Sequence, residues 1–192
     1  AAVAVGGHRP LLVGPSGSGK TTTALALART GGLWLADDKV LLDATAGTPA
    51  AISLYRNTNL APDTIDAFAG LEFARRRPPI DDTNDKRGCL LEETPVPVSL
   101  STFEPTALLF LRPGREAHSS FEPMTRADAL VGLAGQSPAS PVRERAIAHH
   151  RFLAGLARAL PAWLLRPGRD LLDRPEAFTA KVVSLCDHAG WA

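Results

Sequence analysis

Apolar residues fall in short blocks along this chain, and the spacing within each block switches between the two-residue period of a strand and the helical period. Ala1-Ala2-Val3-Ala4-Val5 and Leu11-Leu12-Val13 read as strands joined through a hairpin turn at Gly6-Gly7-His8-Arg9-Pro10. A helix is expected over Thr22, Ala24, Leu25, Ala26, Leu27 and Ala28, stopped by Thr30-Gly31-Gly32. Leu33-Trp34-Leu35-Ala36 then reads as a short buried strand, laid parallel beside the segment 14–21 and ending at Asp37-Asp38. Val40-Leu41-Leu42 continues the apolar pattern, and residues 44–51, with Gly47 and Pro49, have the composition of a hairpin loop. Ile52-Ser53-Leu54-Tyr55-Arg56 alternates like a strand at a sheet edge. Pro62 opens a short helix that carries its acids early and runs to Phe68.

Residues 75–86 break this rhythm with Arg75-Arg76-Arg77, Pro78-Pro79 and Asp81-Asp82-Thr83-Asn84-Asp85, and are expected to form a mobile loop leading into a strand at Cys89-Leu90-Leu91. Residues 106–111 predict a buried strand ended by Arg112-Pro113-Gly114-Arg115, to which Ser119-Ser120-Phe121-Glu122-Pro123-Met124 should return antiparallel. Thr125 and Asp128 have capping-box spacing and start an amphipathic helix through Leu130, Val131 and Leu133. After a break at residues 136–141, Ile147, Phe152, Leu153, Leu156 and Leu160 recur at helical spacing until Pro161 stops them. Trp163-Leu164-Leu165-Arg166 is a late strand, and residues 175–185 a closing helix with Phe178, Val182 and Leu185 on one side. The pattern gives an α/β fold, a mixed sheet with flanking helices. One domain is expected over residues 1–192, truncated at its N-terminus, with 136–192 as its mainly helical C-terminal part.

Composition narrows the classes. A chain of 192 residues that is 45% hydrophobic can bury one sizeable core. Its longest apolar runs, such as Ala107-Leu108-Leu109-Phe110-Leu111, fall far short of the roughly 20 residues a spanning helix needs. A net charge of +1 gives no broad electrostatic reason to bind nucleic acid. Cys89 and Cys186 lack metal-ligand spacing and read as thiols in a reducing cytosol. The expectation is a cytoplasmic protein without membrane or nucleic-acid partners, with homo-oligomerisation left open. His149 and His150 point about 100° apart on a helix, so they cannot chelate one metal together and are expected at the surface. His118 and His188 have no partner legible in sequence.

The chemistry concentrates between residues 14 and 38. Gly14-Pro15-Ser16-Gly17-Ser18-Gly19-Lys20-Thr21 spells a complete phosphate-binding loop between a strand and a helix. Its glycines let successive backbone N–H groups turn toward an anion, and the helix directs its positive end to the same place. Lys20 would reach the β and γ phosphates, Thr21 would supply a hydroxyl to Mg²⁺, and Thr22 would extend the nucleotide contact. Asp37 and Asp38 arrive at the end of the next strand. One would hold the metal and the other accept a proton from an incoming hydroxyl; Asp37 is taken as the metal ligand and Asp38 as the base, although sequence does not say which side chain faces the site. Asp37-Asp38-Lys39 also reads as a solvated turn between two strands. Lys86-Arg87 would meet phosphate from a closing loop, or balance Asp81, Asp82 and Asp85 at the surface.

The loop, the following Ala24-Leu25-Ala26-Leu27 and the strand end Ala36-Asp37-Asp38 together resemble the HPr serine kinase/phosphorylase family. That resemblance implies a P-loop kinase core akin to phosphoenolpyruvate carboxykinase, with ATP and Mg²⁺ and an acceptor serine on a peptide or protein. Leu54-Tyr55-Arg56, Asp85-Lys86-Arg87 and Leu164-Leu165-Arg166-Pro167-Gly168-Arg169-Asp170 are similar to segments of the shorter HPr-kinase-like proteins, some of which phosphorylate a peptide. His8 lies too close to Gly14 to match the family's upstream histidine, and no copy of the phosphorylase-linked signature occurs downstream. The expected activity is transfer of the γ-phosphoryl group to a hydroxyl. A nucleotide-dependent ATPase or switch, and a small-molecule kinase, share the same loop and stand as the alternatives.

Overall fold

A computed structural model describes residues 1–43, 49–82, 84–99, 101–114, 116–138 and 140–187. Gly47 of the expected hairpin loop, Thr83, Arg115 and His188 lie outside the described residues. Strand β1 (Ala2–Ala4) turns through Gly6-Gly7 into β2 (Pro10–Val13). Both turn glycines have positive φ, +56° and +83°, and Val5 and His8 exchange both backbone hydrogen bonds at 2.9 Å, the two-residue hairpin that such dihedrals permit. Helix α1 (Lys20–Arg29) and strand β3 (Leu33–Ala36) follow.

Here the expected neighbourhood changes. β3 does not pair with β2; it pairs antiparallel with β1, which pairs antiparallel with β2. Ala2 therefore sits between Leu11 on one side and Ala36 on the other. The tight Gly6-Gly7 turn folds β1 onto the free edge of β2, so β3 keeps the direction of β2 but lies one strand farther out.

The next elements are β4 (Val40–Asp43) and β5 (Ala50–Ser53), an antiparallel pair. The single strand expected at residues 52–56 ends instead at Ser53; Leu54 and Tyr55 are exposed, and a separate strand β6 (Asn57–Leu60) begins after Arg56. Helix α2 (Pro62–Ala67) carries proline in its first turn, as its sequence suggests. The described residues of the segment 75–86 do not form the expected loop. A 3-10 turn (Glu72–Arg76) leads into β7 (Pro79–Asp81) and β8 (Asn84–Leu90), which with β6 form a three-stranded antiparallel sheet ordered β6-β8-β7. Cross-strand pairing overrides the polar composition here: Thr58 faces Cys89, Leu60 faces Arg87, and the Arg77 guanidinium is anchored by the Gly88 carbonyl and Glu93.

Strand β9 (Ala107–Leu111) is buried at every position. Strand β10 (Ser120–Pro123) does not return against it: β11 (Ala162–Arg166) intervenes, parallel to β9 and antiparallel to β10. The reason is compositional. Ala162, Trp163 and Leu165 are buried and need neighbours on both faces, whereas polar, exposed Ser120 and Glu122, with a proline at 123, suit an edge. Helices α3 (Arg126–Gln136) and α4 (Arg143–Ala159) make the crossover that a parallel pair requires. Thr125 caps α3 by accepting the Asp128 amide at 3.1 Å, while Val131 faces solvent and Ala129 and Leu133 make the buried contact. Helices α5 (Asp170–Asp173) and α6 (Pro175–Asp187) close the chain.

The protein is thus a mixed α/β fold whose main sheet, ordered β10-β11-β9-β2-β1-β3, has both parallel and antiparallel pairs and helices on both faces. Leu12, Leu109, Leu111 and Leu165 pack with Leu25 and Leu27 of α1 and with Phe178 and Val182 of α6. Their strand neighbours Leu11, Leu108 and Phe110 pack on the other face against Leu133, Leu153 and Leu156. Truncating a fully buried leucine such as Leu108 would cost about 2–5 kcal/mol. This rigid centre ends at Val13, where the glycine-rich segment begins. Among the described residues no helix is long and apolar enough to cross a membrane.

Candidate functional site

Residues 14–19 leave the C-terminal end of β2 and wrap back to the N-terminus of α1. Gly14 is required for this path, because a Cβ there would lie 2.7 Å from Ser18 Oγ and 2.8 Å from the Leu111 carbonyl oxygen. Gly19, with φ of +92°, occupies the cap position of α1, and neither a side-chain cap nor an acidic residue in the first turn serves the helix start. The amides there retain the donor capacity that a capping side chain would otherwise take up. Lys20 folds over the loop, its Nζ donating to the carbonyls of Gly14 at 2.8 Å and Pro15 at 2.7 Å.

The acidic pair reaches the same place despite the inserted strand. Asp37 is buried, and its carboxylate accepts from Thr21 Oγ1 at 3.2 Å to each oxygen and from Thr58 Oγ1 at 2.5 Å. Asp38 has φ of +53° and is exposed, so the turn directs consecutive carboxylates into different surroundings. Lys39 follows, with Nζ 5.8 Å from the centre of the Tyr55 ring. From the opposite wall, Lys86 Nζ reaches Ser16 Oγ at 3.1 Å. Burial lowers the Lys20 ammonium below the usual lysine range; Asp37 and Asp38 oppose that shift and Lys86 adds to it. Two cations therefore meet over one glycine-rich turn.

These groups enclose a cleft of about 420 Å³ lined by Gly14, Ser16, Gly17, Gly19, Lys20, Thr21, Thr22, Asp37, Asp38 and Lys86. Pro15 and Ser18 do not line it: Ser18 turns inward, with its buried hydroxyl lacking a hydrogen-bond partner. Arg87 is also outside. Alternation along β8 sets it on the face opposite Lys86, and its guanidinium turns to the Asp85 carbonyl. No family model matches the chain, and no curated protein matches it either.

Sequence reasoning did not identify Thr58, Asn59, Asp63 or Thr64. Asn59, Asp63 and Thr64 line the cleft, Thr64 Oγ1 lies 2.9 Å from Thr22 Oγ1, and Thr58 holds Asp37 from behind. Gln136, at the end of α3, completes the rim. The only linear signal for Thr58 and Asn59 was a polar stretch, Arg56-Asn57-Thr58-Asn59, between Tyr55 and Leu60; its register against β8 is what aims them. Among the described residues no group of three or more His, Cys, Asp or Glu side chains could hold a metal alone. A hydroxyl and a carboxylate in contact, as Thr21 and Asp37 are, suit instead a hard cation that takes its remaining ligands from water and from phosphate oxygens.

Proposed function

We propose that this protein is an ATP-dependent phosphotransferase with a P-loop kinase core of the HPr-kinase-like type, moving a γ-phosphoryl group to a hydroxyl, with serine on a peptide or protein as the acceptor. One observation carries the reading: the Thr21 hydroxyl of the glycine-rich loop touches the buried Asp37 carboxylate while Lys20 lies across the same loop. A helix start without a side-chain cap, a lysine over the turn and a paired carboxylate are the parts a bound triphosphate with its metal requires. Use of ATP fits the cytoplasmic location expected from sequence.

Each residue then has a role. The backbone N–H groups of residues 16–21 and the Lys20 ammonium would bind the phosphates, and Thr21 with Asp37 would hold Mg²⁺. Bound there, Mg²⁺ would neutralise charge between the phosphates. Thr58 keeps the Asp37 carboxylate oriented. Asp38, exposed to the cleft, would accept the proton of the attacking hydroxyl as its oxygen bonds to phosphorus and the bond to ADP breaks. Lys86 would meet the charge on the equatorial oxygens of the moving group. Arg87, on the other face of β8, takes no part.

The test is a mass measurement of serine-containing peptides or proteins incubated with the protein, ATP and Mg²⁺. An acceptor heavier by one phosphoryl group, with equimolar ADP, supports transfer. Release of ADP and free phosphate alone favours a hydrolysing switch and contradicts the kinase reading.

A further inference from the structure

Besides the central cleft, two cavities border the glycine-rich loop, one at each end. The first, about 460 Å³, is lined by Gly19, Thr22 and Thr23 of the loop–helix junction and by Pro167, Arg169 and Leu172 of the turn after β11. The second, about 450 Å³, opens at Gly14 and Pro15 and runs between β9, β10 and α3 past Val131. Resting on the phosphate reading of the loop, we infer that the first cavity receives the nucleoside of the bound nucleotide.

The loop has a polarity. In such a loop the lysine reaches the β and γ phosphates, while the amides running into the helix cradle α and β. Lys20 Nζ lies against the carbonyls of Gly14 and Pro15, which puts the terminal phosphate at that end. The chain of phosphates then runs toward Gly19 and Thr22, and the sugar and base emerge where those two residues also line the first cavity.

That cavity has the form a base and sugar need. Its wall is built before any ligand arrives: Ser119 donates from both its amide and its hydroxyl to Asp170 Oδ1, and accepts the Gly168 amide on its hydroxyl at 2.8 Å. The Arg169 and Asp170 amides donate to the carbonyls of Glu116 and Ala117 at 3.0 Å. The position of a Cβ on Gly19 would lie 3.9 Å from Pro167 Cγ, so the wall stands directly beside the loop. Leu172 is a large apolar side chain left 42% exposed there, and Thr23 Oγ1 is buried without a partner on the same cavity. An apolar surface with few polar groups is the usual lining of a nucleoside site.

Titration calorimetry on the whole chain separates this inference from the one beneath it, using Mg·ATP and Mg·tripolyphosphate, which has phosphates but no nucleoside. Leu172→Glu should weaken Mg·ATP about tenfold and leave Mg·tripolyphosphate unchanged. Leu172→Ser, which removes the apolar wall without adding charge, should shift ATP alone in the same direction. Val131→Glu, in the second cavity, should change neither ligand. Unaltered ATP affinity in both Leu172 variants, or loss of ATP binding in Val131→Glu alone, overturns the assignment. Failure of the unmodified protein to bind either ligand sinks the loop reading itself.

Discussion

The glycine-rich loop and the three-stranded sheet β6-β8-β7 face each other across one cleft, but they are built differently. Residues 14–38 form their half within a single β-loop-α-β passage, so Gly14, Lys20, Thr21 and Asp37 are close in sequence and in space. The opposite half draws Thr58 and Asn59 from β6 and Lys86 from β8, and only antiparallel register sets them on the cleft. The first region carries the groups that would hold phosphate and metal. The second steadies and completes them: Thr58 bonds Asp37 and Lys86 reaches Ser16. Binding should therefore depend mainly on the near region, and turnover on both.

Four substitutions test that division. Lys20→Ala removes the cation over the loop, and Mg·ATP affinity should fall on the order of a hundredfold with turnover abolished. Asp38→Asn keeps the shape but cannot accept a proton; transfer should fall about 10²- to 10⁴-fold while ATP affinity holds, read by rapid-quench kinetics beside equilibrium binding. On the far wall, Lys86→Ala should lower the transfer rate roughly tenfold, with little change in melting temperature, since the side chain is partly exposed. An equal loss of ATP affinity and rate there would mean that the sheet belongs to the binding half after all.

Thr58→Val is the mildest of the four. It deletes a hydroxyl donated to a buried carboxylate, so a loss of about 1–3 kcal/mol in stability is expected, with a raised Mg²⁺ requirement for turnover. Thr58→Ser should restore the Mg²⁺ dependence, which a purely packing role would not require.

The same contrast explains what the sequence made legible. Local rules were enough for the loop, for α1 after it, for the Gly6-Gly7 turn and for the Thr125 cap, because each is decided by residues within a few positions. They failed where partners are remote. Residues 75–86 carry the charges and prolines of a loop, yet β8 pairs with β6 on one side and with β7 on the other, so strands form there. Likewise, nothing near Leu33 says that β1 lies between β3 and β2, and nothing near Ser120 says that β11 will be inserted beside β9. Arg87 looked equivalent to Lys86 in a linear reading; the two-residue period of β8 separates them. Leu54 and Tyr55 alternate like strand residues but leave β5 before its edge.

On the proposed reading, the glycine-rich loop, Lys20 and the Thr21–Asp37 pair would form one site for a metal-bound triphosphate. Calorimetric titration with ATP, in the presence and absence of Mg²⁺, of the unmodified protein and of Lys20→Ala tests it most directly. Saturable one-to-one binding is expected, strengthened by Mg²⁺ and lost or greatly weakened in the variant. Absence of saturable heat from the unmodified protein, or equal affinity in Lys20→Ala, would contradict it.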